Sequence, residues 1–440
     1  MANYLSPGVY VHEVPSGTAP INGVGTSTAG FIGIFADVIQ IPFENPDYDP
    51  SKKATESEAE PVDMAEPAPG AAARRRAART TSGQNSPFIT KEFKPIDAGE
   101  VKLVTNKSEF RKFFGDFSTD DGHGKLLHAV NGFFDNGGTR CFVVRVKEKS
   151  KILTTALEKF ESIDEISIVA APGIADADVR SALVTHCEKM GDRFAILDCA
   201  EETETDGTFD RDKLSEPQDS NYAAVYIPWF RVFDPALKIT NPDGNGKRYI
   251  APSGHIAGIY ARVDAERGVH KAPANVVIRG VASPDDLKYR LSKAQQDGLN
   301  PVGINCIRHI NGNVKVWGAR TIGGARNDEW TYVSVRRLFL YLRESIDEGT
   351  QWVVFEPNTP NLWAKITRNI TAYLTNVWRD GALFGNSPQE AFYVKCDAET
   401  NPPEIRDLGQ VVTEIGVAVA RPAEFVVFRI SQWQAEATAE

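Results

Sequence analysis

The 440-residue sequence is poor in the residues that cross-linked or metal-bound proteins depend on. Its five cysteines, Cys141, Cys187, Cys199, Cys306 and Cys396, are far apart and include no Cys-x-x-Cys pair. An odd, dispersed set excludes a disulfide framework and a zinc knuckle, and predicts reduced, buried thiols in a reducing cytoplasm. The seven histidines make no His-x-x-x-His or His-Glu-x-x-His pair, so neither a metal nor another cofactor is expected. No apolar run approaches the roughly 20 residues that cross a bilayer. The longest near the start is Ala29–Phe35, so stable membrane insertion is not expected. Pro7, Glu13 and Pro15 interrupt the basic and apolar regions of an export signal, which predicts a soluble protein made without one. A basic excess is missing too: 49 Lys and Arg face 59 Asp and Glu, a net charge of −10. That balance excludes a protein that coats nucleic acid directly.

What is present is an ordinary globular composition, 42% hydrophobic. At roughly 150 residues per domain the length suggests about three domains. Val9–Val14 reads as a short strand isolated between Pro-Gly and Pro-Ser-Gly breakers, and Thr28–Phe35 as a second, with Gly30 and Gly33 marking close backbone approach. Composition shifts after Pro42. From Pro50 to Arg79 the chain is mostly Ala, Pro, Glu, Lys and Arg, with Val62 and Met64 its only larger apolar residues, too poor in apolar surface to offset ordering entropy. Its Arg74–Arg76 run reads as solvated rather than as an anion patch, because no aromatic residue accompanies it.

Order resumes near Ile89. Strands are expected at Glu100–Thr105, Cys141–Val146, Ile166–Ala170, Phe194–Asp198, Asn221–Phe230 and Val276–Gly280. Helices are expected at Lys107–Phe114, Leu126–Phe134, Asp176–Met190 and Gly254–Arg262, with a further start at Ser283. Thr331–Ile346 has helical periodicity up to Gly349, Gln351–Phe355 reads as a strand, and Thr359-Pro360 opens another helix. That helix carries Leu362, Trp363, Ile366, Ile370, Tyr373, Leu374, Val377 and Trp378 on one face and Lys365, Arg368, Asn369 and Arg379 on the other. The stripe reads as core rather than as a cofactor box. The chain ends in two extended pieces, Val411–Ala420 and Glu424–Ile430. A strand isolated at a terminus must pair with something, and from pattern alone its own subunit and a neighbour's sheet edge are equally open as partners.

Catalytic signatures fail one by one. Asp121-Gly-His-Gly-Lys125 lacks the first glycine of a phosphate loop, and Leu126 stands where a hydroxyl should bind magnesium. Ser253 is preceded two residues earlier by Ala251, not glycine, so it is no nucleophile elbow, and His255 reads as a structural donor. The best enzyme alternative is an α/β metal-dependent hydrolase in which Asp176, Asp178 and Asp198, at the carboxyl ends of βαβ strands, hold magnesium. The simpler reading makes Asp176 a helix cap and Asp178 a first-turn carboxylate.

Several blocks resemble the contractile tail sheath family of bacteriophages and phage-tail-like injection particles. They are Leu5–Val14 with Thr26–Gly33, Gly132–Cys141, Tyr249–Asn275, Asn305–Trp317, Glu348–Pro357 and Pro422–Ile430. The resemblance covers roughly residues 1–40, 98–147 and 220–433, with 150–220 as a variable outer domain. It implies an α/β (mixed α+β) fold: a split C-terminal core domain with inserted outer α/β domains and extended terminal β-arms. With the composition shift, this gives the expected division: 1–40, an N-terminal strand arm and first part of the core; 41–90, a flexible Ala/Pro/charged insertion without counterpart in the family; 91–220, the outer α/β domains; and 221–440, the sheath core with a C-terminal arm at about 409–433.

The implied function is structural, not enzymatic. Sheath subunits stack as six-fold rings around an inner tube, form a helical sheath, and contract to drive the tube through a target cell envelope. The implied partners are further copies of the chain, the inner tube protein, and baseplate and terminal cap proteins. The setting is the cytoplasm of a producing bacterium, within a phage tail or contractile injection particle. By the same resemblance, Val9, Tyr10, Val11, His12, Glu13 and Val14, with Glu424, Phe425, Val426, Val427, Phe428, Arg429 and Ile430, are the strand-exchange residues between subunits. Charge adds a second expectation: Lys365, Arg368 and Arg379 offer a cationic helix face to an acidic tube surface.

Overall fold

The computed structural model describes residues 20–49, 86–215, 218–281, 283–322 and 328–429. The expectations for Val9–Val14, for Pro50–Arg79 and for Ile430 lie outside the described residues.

The chain begins with β1 (Ala29–Ile34) and a ribbon of β2 (Ile39–Glu44) and β3 (Phe88–Phe93). Next come β4 (Val101–Val104), α1 (Lys107–Phe114), α2 (Asp121–Asp135) and β5 (Cys141–Val146). A π-helical turn, Ile152–Leu157, leads into α3 (Glu158–Glu161), β6 (Ile168–Ala170), α4 (Ala177–Met190) and β7 (Phe194–Asp198). A small hairpin of β8 (Glu204–Thr205) and β9 (Thr208–Phe209) precedes β10 (Ala223–Ile227) and β11 (Phe230–Phe233). Then follow α5 (Pro235–Thr240), β12 (Lys247–Ile250), α6 (Ser253–Arg267) and β13 (Val276–Val277). Helix α7 (Lys293–Leu299), β14 (Ile304–Ile310) and β15 (Asn313–Val316) complete this part. The C-terminal unit holds α8 (Val333–Thr350), α9 (Pro360–Arg379), α10 (Pro388–Ala391), β16 (Phe392–Lys395), α11 (Pro403–Asp407) and β17 (Glu414–Val417).

Nine strands form one sheet in the order β13-β15-β14-β10-β7-β6-β1-β5-β4, parallel from β14 to β5 and antiparallel at both ends. Its central strands are buried on both faces, which is why they read as continuous apolar runs. Alternate residues go to opposite cores. Phe31, Ile168, Phe194, Ile196 and Tyr226 join the core under α1, α2 and α6. Ile32, Val169, Ala195, Leu197 and Val225 join the core that also holds Val179, Leu183 and Val184 of α4. Both β1 glycines permit close packing: a Cβ on Gly33 would lie 2.6 Å from Leu126 of α2, and one on Gly30 would lie 2.8 Å from Phe160. Residue 220 does not separate two sheets. The neighbouring strands β7 and β10 lie on either side of it, so the 91–220 and 221–440 segments both contribute to one sheet.

Local signals set several boundaries. The Asn106 side chain accepts from Glu109 N–H to start α1, and Gly191 ends α4 in the left-handed conformation at φ 70°. The strand expected at Gln351–Phe355 is absent. Helix α8 runs to Thr350 and a 3-10 turn covers Gln351–Val353. Gly349 is therefore no helix stop; a Cβ there would lie 2.6 Å from Ile21, so it serves close approach of the N-terminal segment.

Candidate functional site

In the C-terminal unit, Leu362, Trp363, Ile366, Ile370, Tyr373, Leu374 and Val377 of α9 bury their stripe with Leu338 and Leu342 of α8. Trp378 is half-buried and donates through its indole N–H to Gly385 O at 2.9 Å. On the other face Arg368 and Arg379 are exposed and Lys365 is half-buried. Asn369, expected on that face, is buried. The helix contains no carboxylate, so its outer face carries positive charge with nothing on the same helix to offset it.

Strands β16 and β17 pair only with each other, from Phe392↔Val417 to Lys395↔Glu414. Among the described residues each therefore has one edge without a strand partner. Beyond β17 the chain stays pinned through Phe384 N–H to Ala418 O (2.7 Å), Ala418 N–H to Ala391 O (2.8 Å) and Ala420 N–H to Ala382 O (3.1 Å). The last fixed point is Glu424. Its carboxylate accepts from Arg320 Nε at 3.0 and 3.1 Å, Arg320 Nη2 at 2.7 Å, Asn300 Nδ2 at 2.6 Å and the Tyr332 hydroxyl at 2.9 Å. Burial alone would raise this carboxyl, but the Arg320, Asn300 and Tyr332 hydrogen bonds hold it below its usual value.

The next residues behave differently. Phe425, Val426, Val427 and Phe428 are 72%, 67%, 78% and 83% exposed. The expected strand from Glu424 is not part of any sheet of its own subunit among the described residues: only its first residue is held, and an apolar run follows in water. Sequence reasoning missed these partners of Glu424 altogether. Arg320, Asn300 and Tyr332 lie 104, 124 and 92 positions from Glu424, where no local spacing could reveal them.

The three aspartates of the hydrolase alternative are put to separate structural uses. Asp198, at the end of β7, accepts from the Ser253 hydroxyl at 2.6 Å, Ser253 N–H at 3.1 Å and Gly173 N–H at 3.0 Å. Burial raises its carboxyl to about 6 against the pull of those hydrogen bonds. Asp176 occupies the cap position of α4 but caps nothing with its side chain, binding Lys149 Nζ at 2.6 Å instead. Asp178 is exposed in the first turn. Among the described residues no group of three or more His, Cys, Asp or Glu is placed to hold a metal, and the hydrolase alternative has no support.

His255 is buried, edge-on to Phe230 at 5.0 Å, and its Nδ1 has no hydrogen-bond partner among the described residues. All five cysteines are free and buried, and burial pushes the Cys199 and Cys306 thiols up to about 12. Among the described residues no helix is long and apolar enough to cross a membrane.

Residues 148–322 match the family model of the phage tail sheath protein central domain, and residues 325–432 match that of the phage tail sheath C-terminal domain. The chain belongs to the phage tail sheath family. The central match takes in residues 150–220, read from sequence only as a variable outer domain. The tail sheath protein of Vibrio phage KVP40 is 27% identical over 179 residues, 41% of this chain and 26% of that protein. A putative prophage major tail sheath protein of Pseudomonas aeruginosa is 26% identical over 235 residues, 51% of this chain and 58% of that one. The chain thus spans less than two thirds of the length of either relative. Over nearly the whole chain it is similar to the helical sheath of the anti-feeding prophage in its contracted state. That likeness is 26% identity and a TM-score of 0.69, covering 97% of this chain and 99% of the other.

Proposed function

We propose that the chain is the sheath subunit of a phage tail or phage-tail-like contractile injection particle. It polymerises with itself as stacked six-fold rings around an inner tube and contracts to drive that tube through a target envelope. The observation that carries this reading is the C-terminal arm. An apolar Phe-Val-Val-Phe run leaves a fixed point and stands exposed, while β16 and β17 each keep an open edge. Four exposed apolar residues in a row are a liability in a monomer and a ready strand for another sheet. Pairing of residues 425–429 with the β16–β17 sheet of a second copy covers one of the two open edges and removes the exposed run at the same time.

Residues Val9–Val14 supply a second exchanged strand in the same reading. Main-chain pairing resists tension along the strand and leaves the linkers before and after it free to turn. Work comes from the free-energy difference between two packings of the same subunits, so no nucleotide and no catalytic residue is required. The cationic face of α9, with Lys365, Arg368 and Arg379, is the surface for the tube. Baseplate and terminal cap proteins bind the ends of the polymer, which assembles in the cytoplasm of the producing bacterium.

Sedimentation velocity tests the arm directly. The full chain is expected to run as polymer, and Phe425→Asp with Phe428→Asp as a folded monomer. A polymer of unchanged size from that double variant would refute the exchange.

A further inference from the structure

The exchanged run sets its own register only weakly. Residues 425–428 are apolar at every position, so within them a one-residue slip moves Phe and Val between faces without cost in charge, and Arg429 at the far end is the only charged residue of the run. A firmer fix must come from a point outside the run, and Glu424 immediately precedes it.

We propose that Arg320, Asn300 and Tyr332 form a receptor for Glu424 whose clasp fixes where the arm leaves its own subunit. The clasp thereby sets the register in which residues 425–429 pair with a second copy of the chain. The inference rests on the strand-exchange reading and adds its specificity-determining residues.

Three observations place the clasp on rigid ground. Arg320 N–H donates to Asn305 Oδ1 at 2.7 Å, and Asn305 Nδ2 donates back to Arg320 O at 2.8 Å and to Val225 O at 3.1 Å. Asn305 is fully buried on β14, so the receptor is tied to the interior of the nine-stranded sheet. Tyr332 stands opposite Arg320 in an antiparallel bridge, which holds the backbones that carry the hydroxyl and the guanidinium side by side. Finally, the chain is held at Ala420 by Ala382 and again at Glu424, leaving little slack between the two holds. A planar guanidinium reaching both carboxylate oxygens fixes orientation as well as distance, so the arm departs in one direction. Tension on a donated strand passes through Glu424 and Arg320 into β14 rather than into the hairpin alone.

Intersubunit disulfide trapping in assembled polymer of the full chain tests this. One protein carries Val426→Cys. Its mixing partner carries a single cysteine at Tyr393, Val394, Lys395, Ile415 or Gly416, so that only bonds between copies form. The native cysteines are buried and give little background. One acceptor position is expected to dominate. In an Arg320→Gln background its share falls roughly threefold or more while adjacent positions gain, and the Arg320→Glu, Glu424→Arg exchange restores it. Should Arg320→Gln not assemble alone, it is doped as a minority into wild-type polymer, where its own arm reports. The milder Glu424→Gln runs beside it. An unchanged dominant position in both variants overturns the clasp. A chain truncated after Ala423 that still polymerises, or no cross-link at any position, overturns the exchange itself instead.

Discussion

The Arg337 guanidinium of α8 grips both carboxylate oxygens of Asp264 on α6, at 2.9 and 2.6 Å. Arg337 Nη2 also donates to Thr26 O at 2.8 Å, and the Thr26 hydroxyl donates to Asp264 at 2.6 Å. The side chains of Arg337 and Asp264 are only 4% and 6% exposed. This joint ties the N-terminal segment, the sheet body and the C-terminal unit at one buried point. Removing one partner leaves the other charge stranded, so Arg337→Met should cost about 3–5 kcal/mol in urea unfolding. Adding Asp264→Leu should recover most of that loss. An equal or larger loss in the double variant would mean that the pair holds the joint by more than its own compensation.

Stability should depend on pH through buried histidines. Burial lowers His255 to about 3, and burial first and then neighbouring charge lower His123 and His186 to about 4. Each folded-state value lies below the unfolded one. The stability each contributes is therefore full above pH 6.5 and lost as pH falls towards the folded value, at up to about 1.4 kcal/mol per pH unit. Asp198, raised to about 6, acts in the opposite sense: its contribution is full below its unfolded value and lost as pH rises through 6. Urea midpoints between pH 4 and 6.5 should accordingly give a shallower slope for His255→Gln and a steeper one for Asp198→Asn. The same slope in all three proteins would contradict these assignments.

The tube contact makes a separate claim. Lys365→Glu with Arg368→Glu should leave sheath polymerisation intact, because neither side chain belongs to the buried stripe of α9. Capture of tube protein should fall roughly tenfold or more, and raising ionic strength should weaken wild-type capture in the same direction. Undiminished capture by the variant would move the tube surface elsewhere.

Sequence patterns revealed much of the local structure and little of the long-range pairing. Cys141–Val146 and Phe194–Asp198 were legible as strands to the residue, since buried parallel strands are short apolar runs between breakers. Their neighbours were not legible: β1 pairs with both β5 and β6, and any apolar run satisfies such a strand equally well. Gly349 misled because glycine signals both helix ends and close approach, and here Ile21 lies against it. A strand is expected from Glu424, but among the described residues, 424–429 form none. The partners of Glu424 were not legible either, because Arg320, Asn300 and Tyr332 meet it only once the sheet has brought them together.

Negative-stain electron microscopy of the purified full chain tests the central claim most directly. The sheath account predicts striated hollow tubes built of stacked six-fold rings, with dispersed particles only from the Phe425→Asp, Phe428→Asp variant. Compact monomers from the wild-type chain at every concentration would contradict it.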